Sequence, residues 1–328
     1  MKRFKLQSLF VSAIMCAFIA AGCNDNDDVV TPPSTAPAAP TGLVANSKDY
    51  QSVRLKWTAS TSAKAADFKD YELTVTTPNG ATPVQTLLVN KDSTGTIVTG
   101  LTEGVIYTFS LKSRSTAASS NTSAAASVKW SPADRYSNVR MYETKSTTFG
   151  SGISFKNSDT ALLVSQGNLW DIGLDTRDEG GVPSYDIGSP SKLSYTLKDA
   201  SGNTITPRAT LLSSKIYEGV ASLDDLFDTQ VLGEAALNMK PDTARRISFT
   251  TSTQNFVFFA KTEEGNYAKI LVKSANGKIL QGIAPNRYVL MDISYQAAPN
   301  VPYASVRGAV PPAFTTSAAS SVKKIATE

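Results

Sequence analysis

The chain has 328 residues, 41% hydrophobic and 18% charged, enough length and apolar content for about two domains with their own cores. Its 32 basic and 28 acidic residues nearly balance, which argues against a nucleic-acid partner, and the absence of histidine removes Ser-His-Asp and Cys-His catalysis and imidazole-ligated zinc together. No P-loop or dinucleotide fingerprint is present: Gly150-Ser151-Gly152 and Gly180-Gly181 lack the spacing and the helix that a phosphate needs.

In chain order, the first element is a targeting segment. Lys2, Arg3 and Lys5 precede an apolar run from Leu9 to Ile19, the order of a secretory signal and too short for a permanent bilayer span. Ala20, Ala21 and Gly22 lead to Cys23, and this stretch resembles the lipobox of bacterial lipoproteins, with alanine where leucine is common. The resemblance implies removal of residues 1–22 and a diacylglyceryl group on the Cys23 sulfur. Cys16 then leaves with the leader and Cys23 is capped, so no disulfide can form; losing three of the 32 basic residues brings the net charge from +4 to +1. Asn24-Asp25-Asn26-Asp27-Asp28 resembles the lipoprotein export signal of Bacteroidetes, which implies the outer face of the outer membrane; from the residues alone it is equally a solvated linker. Residues 23–38, with Pro32, Pro33 and Pro37, form a flexible tether.

From residue 39 to 132, short apolar alternations separated by Gly, Pro, Asn and Ser predict a β-sandwich. Val53, Leu55 and Trp57 share one strand face, and Tyr71, Leu73 and Val75 repeat the pattern before a Pro78-Asn79-Gly80 turn. Pro40, Leu43, Leu55, Trp57, Tyr71 and the Leu101-x-x-Gly104-x-x-Tyr107 spacing resemble fibronectin type III domains. That resemblance implies that Trp57 and Tyr107 are core residues, with the tyrosine hydroxyl bonded to backbone, and that the domain is a spacer or docking module.

Residues 136–310 read as a second mainly β domain, followed by a tail at 311–328. Strands are predicted at 140–144, 152–155, 160–164, 169–174, 192–198, 247–250, 256–261, 267–274 and 288–296. One helical segment is predicted: Ser222 and Asp225 form an acidic capping box, and Leu223, Leu226, Phe227, Val231 and Leu232 recur at helical spacing before Pro241.

The most distinctive stretch is Trp170-Asp171-Ile172-Gly173-Leu174-Asp175, continued by Arg177, Asp178 and Glu179. Asp171, Asp175, Asp178 and Glu179 offer carboxylates for glycoside hydrolysis, which needs two of them about 5 to 10 Å apart; the simpler reading makes Trp170, Ile172 and Leu174 one buried face with the acids solvated or turn-capping. The Trp-Asp-Ile segment, with Phe256 to Lys261 and Tyr267-Ala268-Lys269-Ile270, also resembles the HmuY-type haem-binding lipoproteins of Bacteroidetes. That resemblance implies haem as a cofactor; without histidine, Met141, Met239 and Met291 are the available axial ligands, and each is otherwise a core residue. Met141 is read as opening a strand and Met291 as sharing a face with Val289. Tyr185, Tyr217 and Tyr303 are read as exposed aromatics able to stack on sugars or partner surfaces. The sequence therefore predicts a lipid-anchored surface protein for binding or adhesion rather than catalysis, with no cofactor unless haem, a membrane as partner through its anchor, and a glycan, protein or haem as its surface ligand.

Overall fold

A computed structural model describes residues 36–117, 121–179, 182–229, 239, 246–249 and 254–301. Cys23, most of the tether, Tyr303 and the tail lie outside the described residues, as do the side chains of residues 177–179.

Seven strands build the first sandwich: β1 (Thr41–Asp49), β2 (Ser52–Thr58), β3 (Phe68–Thr76), β4 (Gln85–Asn90), β5 (Gly95–Val98), β6 (Tyr107–Ser115) and β7 (Ala126–Trp130). They form two antiparallel sheets, β1-β2-β5 and β4-β3-β6-β7. Alternation drives the assembly. On β3, Tyr71, Leu73 and Val75 are buried while their neighbours are only half covered, and on β6 Tyr107, Phe109 and Leu111 do the same. Trp57 meets Tyr71 edge-on at 5.7 Å, and each aromatic buries about 150–250 Å², a contribution of a few kcal/mol at roughly 25 cal/mol per Å². The Tyr107 hydroxyl accepts a hydrogen bond from the Thr102 backbone N–H at 3.0 Å, the tyrosine corner predicted from the spacing.

The second sandwich follows at once with β8 (Asp134–Tyr142), β9 (Gly152–Ile153), β10 (Ile172–Glu179), β11 (Val182–Gly188), β12 (Leu211–Leu212), β13 (Tyr217–Glu218), β14 (Arg246–Phe249), β15 (Phe256–Lys261), β16 (Tyr267–Lys273) and β17 (Tyr288–Tyr295). The larger sheet runs β12-β15-β16-β17-β8, with β13 also on β15; the smaller runs β14-β11-β10-β9. Ile172, Leu174 and Ile187 face Phe256, Phe258, Ile270 and Met291 across one core. The opposite face of the larger sheet is buried as well: Val257, Phe259 and Leu271 pack with Leu223 and Met239 in a cluster continuous with the first sandwich. Burial on both faces explains why β15 reads as an unbroken apolar run.

Several expectations need correction. The strand predicted at 140–144 begins at Asp134, because pairing with β17 runs back to Tyr295↔Asp134; Met141 therefore lies near its end rather than opening it. The segment 160–164 makes a single bridge, Leu162↔Gly152, before a 3-10 helix at Val164–Leu169, and 193–197 is loop between a 3-10 turn at Pro190–Lys192 and a single bridge, Lys198↔Thr204. Their apolar residues, Leu162, Val164, Leu193, Tyr195 and Leu197, instead collect around Trp170 in a third small cluster. Trp170 thus parts from Ile172 and Leu174, which point into the main core. A Cβ on Gly152 would overlap the Trp170 ring, and one on Gly173 would come within 3.0 Å of it, so the paired glycines form the floor on which the indole lies.

The capping box is present, with Asp225 accepting from the Ser222 N–H at 2.8 Å, but it opens only a 3-10 turn, Leu223–Asp225. Leu226 is extended, and helical backbone resumes at 228–229. The break is matched by a tertiary bond: the Leu226 carbonyl accepts from Lys269 Nζ at 2.8 Å. Val231, Leu232 and Pro241 lie outside the described residues.

Candidate functional site

Met141 and Met291 are fully buried in the core between the two sheets, on the adjacent strands β8 and β17, where Met291 pairs with Val139 and Val289 with Met141. Met239 belongs to the cluster on the other face of the larger sheet. Met141 and Met291 enter one packed core from the same face of one sheet, and Met239 lies beyond that sheet, an arrangement that does not fit ligation of haem iron from its two axial sides.

Asp171 is 2% exposed; its carboxylate accepts from the Phe155 N–H at 2.8 Å and pairs with Arg208 at 3.0 Å. Burial pushes its pKa up, with Arg208 working against the rise. Asp175 is equally buried, accepts from the Ser194 backbone N–H at 3.1 Å and from the Ser194 hydroxyl, and lies opposite Asp186 on β11. Both carboxylates act as internal acceptors rather than solvated or cleft-lining groups, and the side chains of Asp178 and Glu179 lie outside the described residues. Tyr185 is a core residue of the second sandwich, not an exposed aromatic, because its strand parity matches Ile187. Tyr217 is half-buried, edge-on to Phe259 at 6.0 Å.

The structure gathers two other constellations. The first is a buried polar joint between the sandwiches. Phe259, Lys269, Ser294 and Arg135 lie side by side on β15, β16, β17 and β8. Lys269 Nζ donates to Asp228 Oδ1 at 2.6 Å, to Asn46 Oδ1 at 3.0 Å and to the Leu226 carbonyl, so all three ammonium protons are used. Asp228 Oδ2 accepts from the Ser47 N–H at 2.9 Å, Arg135 donates to the Ser47 carbonyl at 2.7 Å and to Asp224 at 2.9 Å, and Lys48 pairs with Asp224 at 2.8 Å. Thr229 Oγ1 accepts from the Ala45 N–H at 2.9 Å. The free edge of β1, otherwise open to pairing with another chain, is thereby covered. Burial pushes Asp228 up and Lys269 down, each opposed by the other's charge. Burial also acts to raise Asp224, but Arg135 and Lys48 outweigh it and hold the carboxyl below its ordinary range.

The second constellation sits where the outer face of the larger sheet is left uncovered. Tyr142 and Tyr288 are opposite each other on β8 and β17, with ring centroids 5.3 Å apart. Phe149 stacks on Tyr142 at 4.4 Å, and the Arg140 guanidinium lies over Tyr288 at 4.9 Å. Beneath them, fully buried Glu143 takes Arg287 Nη2 at 2.7 Å, Arg287 Nε at 3.0 Å and the Arg287 N–H at 2.9 Å. Burial acts to raise Glu143, but hydrogen bonds and charge from Arg287 win and hold it below the usual carboxylate range. Ser146 Oγ reaches Asn286 Oδ1 at 2.8 Å, so the loop carrying Phe149 is fastened to the one before β17.

Sequence reasoning passes over both groups. Lys269 does leave a trace, since strand parity puts it on the same side as Tyr267 and Leu271, and an inward lysine requires a counter-charge. Phe149 leaves none, because an isolated phenylalanine in a loop carries no periodicity.

Residues 38–129 match the fibronectin type III domain family. Over 149 residues the chain is 36% identical to exoglucanase A of Cellulomonas fimi; the match covers 44% of this chain and 16% of that enzyme's length. Among solved structures, it aligns with the fibronectin type III domain of human collagen alpha-1(XX) chain at 18% identity, over 31% of this chain and 90% of that one, with a TM-score of 0.25. A myokine structure aligns at 15% identity, over 30% of this chain and 99% of that one, also with a TM-score of 0.25.

Proposed function

We propose, starting from a fibronectin type III module at residues 38–129, that this chain is a lipid-anchored cell-surface binding protein in which that module is a rigid strut for the second sandwich. The observation that carries the reading is the Lys269–Asp228–Asn46 joint: a spacer that only tethered would need no buried charges tied to its edge strand. The leader and Cys23 supply the anchor. Each buried methylene contributes about 0.8 kcal/mol, so several acyl chains hold where one binds marginally. Binding rather than hydrolysis is favoured because Asp171 and Asp175 are internal acceptors. The match to exoglucanase A lends no activity to this chain, since it spans only 16% of that enzyme.

Mass spectrometry of the mature N-terminus tests the anchor: a diacylglyceryl adduct on Cys23, lost with Cys23→Ser together with membrane retention, is the expected result. An unmodified residue 23, or a different mature start, removes the reading. Protease shaving of intact cells tests which face of the membrane displays the protein.

A further inference from the structure

We propose that Phe149 and Arg140, propped on the Tyr142–Tyr288 pair, form a binding platform for a saccharide bearing carboxylates, such as a uronic-acid glycan. The inference deepens the surface-binding reading and rests on it. Phe149 is 41% exposed although its ring stacks on Tyr142, so one face is packed and the other is presented to solvent. A pyranose ring offers a face of C–H groups to the electron-rich face of such a ring, which is the geometry an upturned phenyl suits. Arg140 is exposed; its guanidinium rests on Tyr288 and is hydrogen-bonded to Tyr142, which orients it, and of its five N–H donors those not turned to the tyrosines can meet a planar carboxylate. The nearby carboxylates are already neutralised, Glu143 by Arg287 and Asp292 by Lys273 at 2.6 Å, while among the described residues none pairs with Arg140. The charge left at this end of the sheet is therefore a cation beside an aromatic face.

The size of the patch favours a sugar over a protein. Stable protein interfaces use about 20–30 residues a side, whereas this platform presents two side chains and their supports. One cation is also too few for a nucleic-acid backbone, where affinity comes from many phosphate contacts. The Glu143–Arg287 pair and the Ser146–Asn286 bond hold both loops before any ligand arrives, which lowers the ordering cost of binding.

Affinity electrophoresis of the full mature chain through gels containing polygalacturonate, alginate or hyaluronan, against neutral dextran and xylan, tests the proposal. The wild type is expected to be retarded by at least one acidic polymer and not by the neutral ones. Phe149→Ala should weaken that retardation about tenfold, and Arg140→Gln should remove the preference for acidic polymers. Each side chain has one side packed on a tyrosine and one in solvent, so the variants should stay folded, with thermal melts only slightly below the wild type. No retardation by any acidic polymer, equal retardation by neutral ones, or undiminished retardation of both variants overturns it. If that happens while Cys23 is lipidated, the surface-binding reading stands; if Cys23 is unmodified, the anchored reading falls whatever the gels show.

Discussion

Lys269 Nζ lies 2.6 Å from Asp228 Oδ1, and each side chain is only 1% exposed, so the pair is a dry ion pair shared by two sandwiches. Taking both charges from water costs several kcal/mol per ion, which their attraction offsets only because Asn46, Ser47 and the Leu226 carbonyl complete the hydrogen bonding. Asp228→Asn should therefore destabilise the protein by about 3–5 kcal/mol, since it strands a buried ammonium. Replacing the pair together, Asp228→Leu with Lys269→Met, should cost less than the single change. In calorimetry the wild type should unfold in one transition, and Asp228→Asn should split it as the sandwiches uncouple. A single transition at an unaltered midpoint in Asp228→Asn would show that the joint does not couple them.

Acid should reach the joint and the platform through two carboxylates. Glu143 and Asp224 both have folded pKa values held below their ordinary ones by arginine and lysine partners. A depressed folded value means that the stabilisation is fully present above the unfolded pKa, near 4.5 for Glu143 and 3.8 for Asp224, and is lost as pH falls through the lower folded values. Stability should thus fall steeply below about pH 4.5. Glu143→Gln removes one titrating group, so its stability should be lower at pH 7 but change less between pH 5 and pH 3. Parallel curves for the two proteins in that interval would contradict this assignment.

Much of the fold is legible in the sequence, and the exceptions have physical reasons. Val53 to Trp57 and Tyr71 to Val75 alternate because their sheets meet one core, and β15, β16 and β17 can be read because their runs are long and bounded by turn residues. At 160–164 and 192–198 the same alternation misleads, because Leu162, Leu193 and Leu197 pack onto Trp170 without a ladder to join. The joint is hard to read for another reason: Lys269, Asp228 and Asn46 lie 41 and 223 positions apart, and only the fold brings them together. Of the proposed site residues, the methionines have core as their simplest reading, and the structure places them there, whereas Tyr185, read as an exposed aromatic, is buried because it shares the strand face of Ile187. Phe149 and Arg140 become conspicuous only when their supports are seen.

The glycine floor under Trp170 predicts a steric effect. Gly152→Ala puts a methyl group into a fully buried indole held between Gly152, Gly173 and Leu193, where the ring has no solvent side to move toward. Overpacking of this kind typically costs about 1–3 kcal/mol. Trimming the ring as well, in Gly152→Ala with Trp170→Leu, should recover part of the loss relative to the two single costs summed. Strict additivity in that double-mutant cycle would mean that the two positions do not press on each other.

The tyrosine corner supplies a test confined to the first sandwich. Tyr107 is 6% exposed, and its hydroxyl meets the Thr102 N–H at 3.0 Å in the segment where Gly104 takes φ +79°. Tyr107→Phe keeps the ring in the core beside Phe109 and removes only the acceptor, leaving a half-covered N–H without its partner. Such a loss costs about 1–3 kcal/mol when the orphaned group stays dry and less when water replaces the oxygen. Urea unfolding should therefore show a lower midpoint with an unchanged slope, because the surface exposed on unfolding is the same. Amide exchange adds the local readout: the Thr102 N–H should lose protection while the β3–β6 ladder keeps its own, since nothing in that pairing depends on the hydroxyl. Protection at Thr102 that survives the substitution would assign the turn's stability to its glycine conformation and not to the tyrosine.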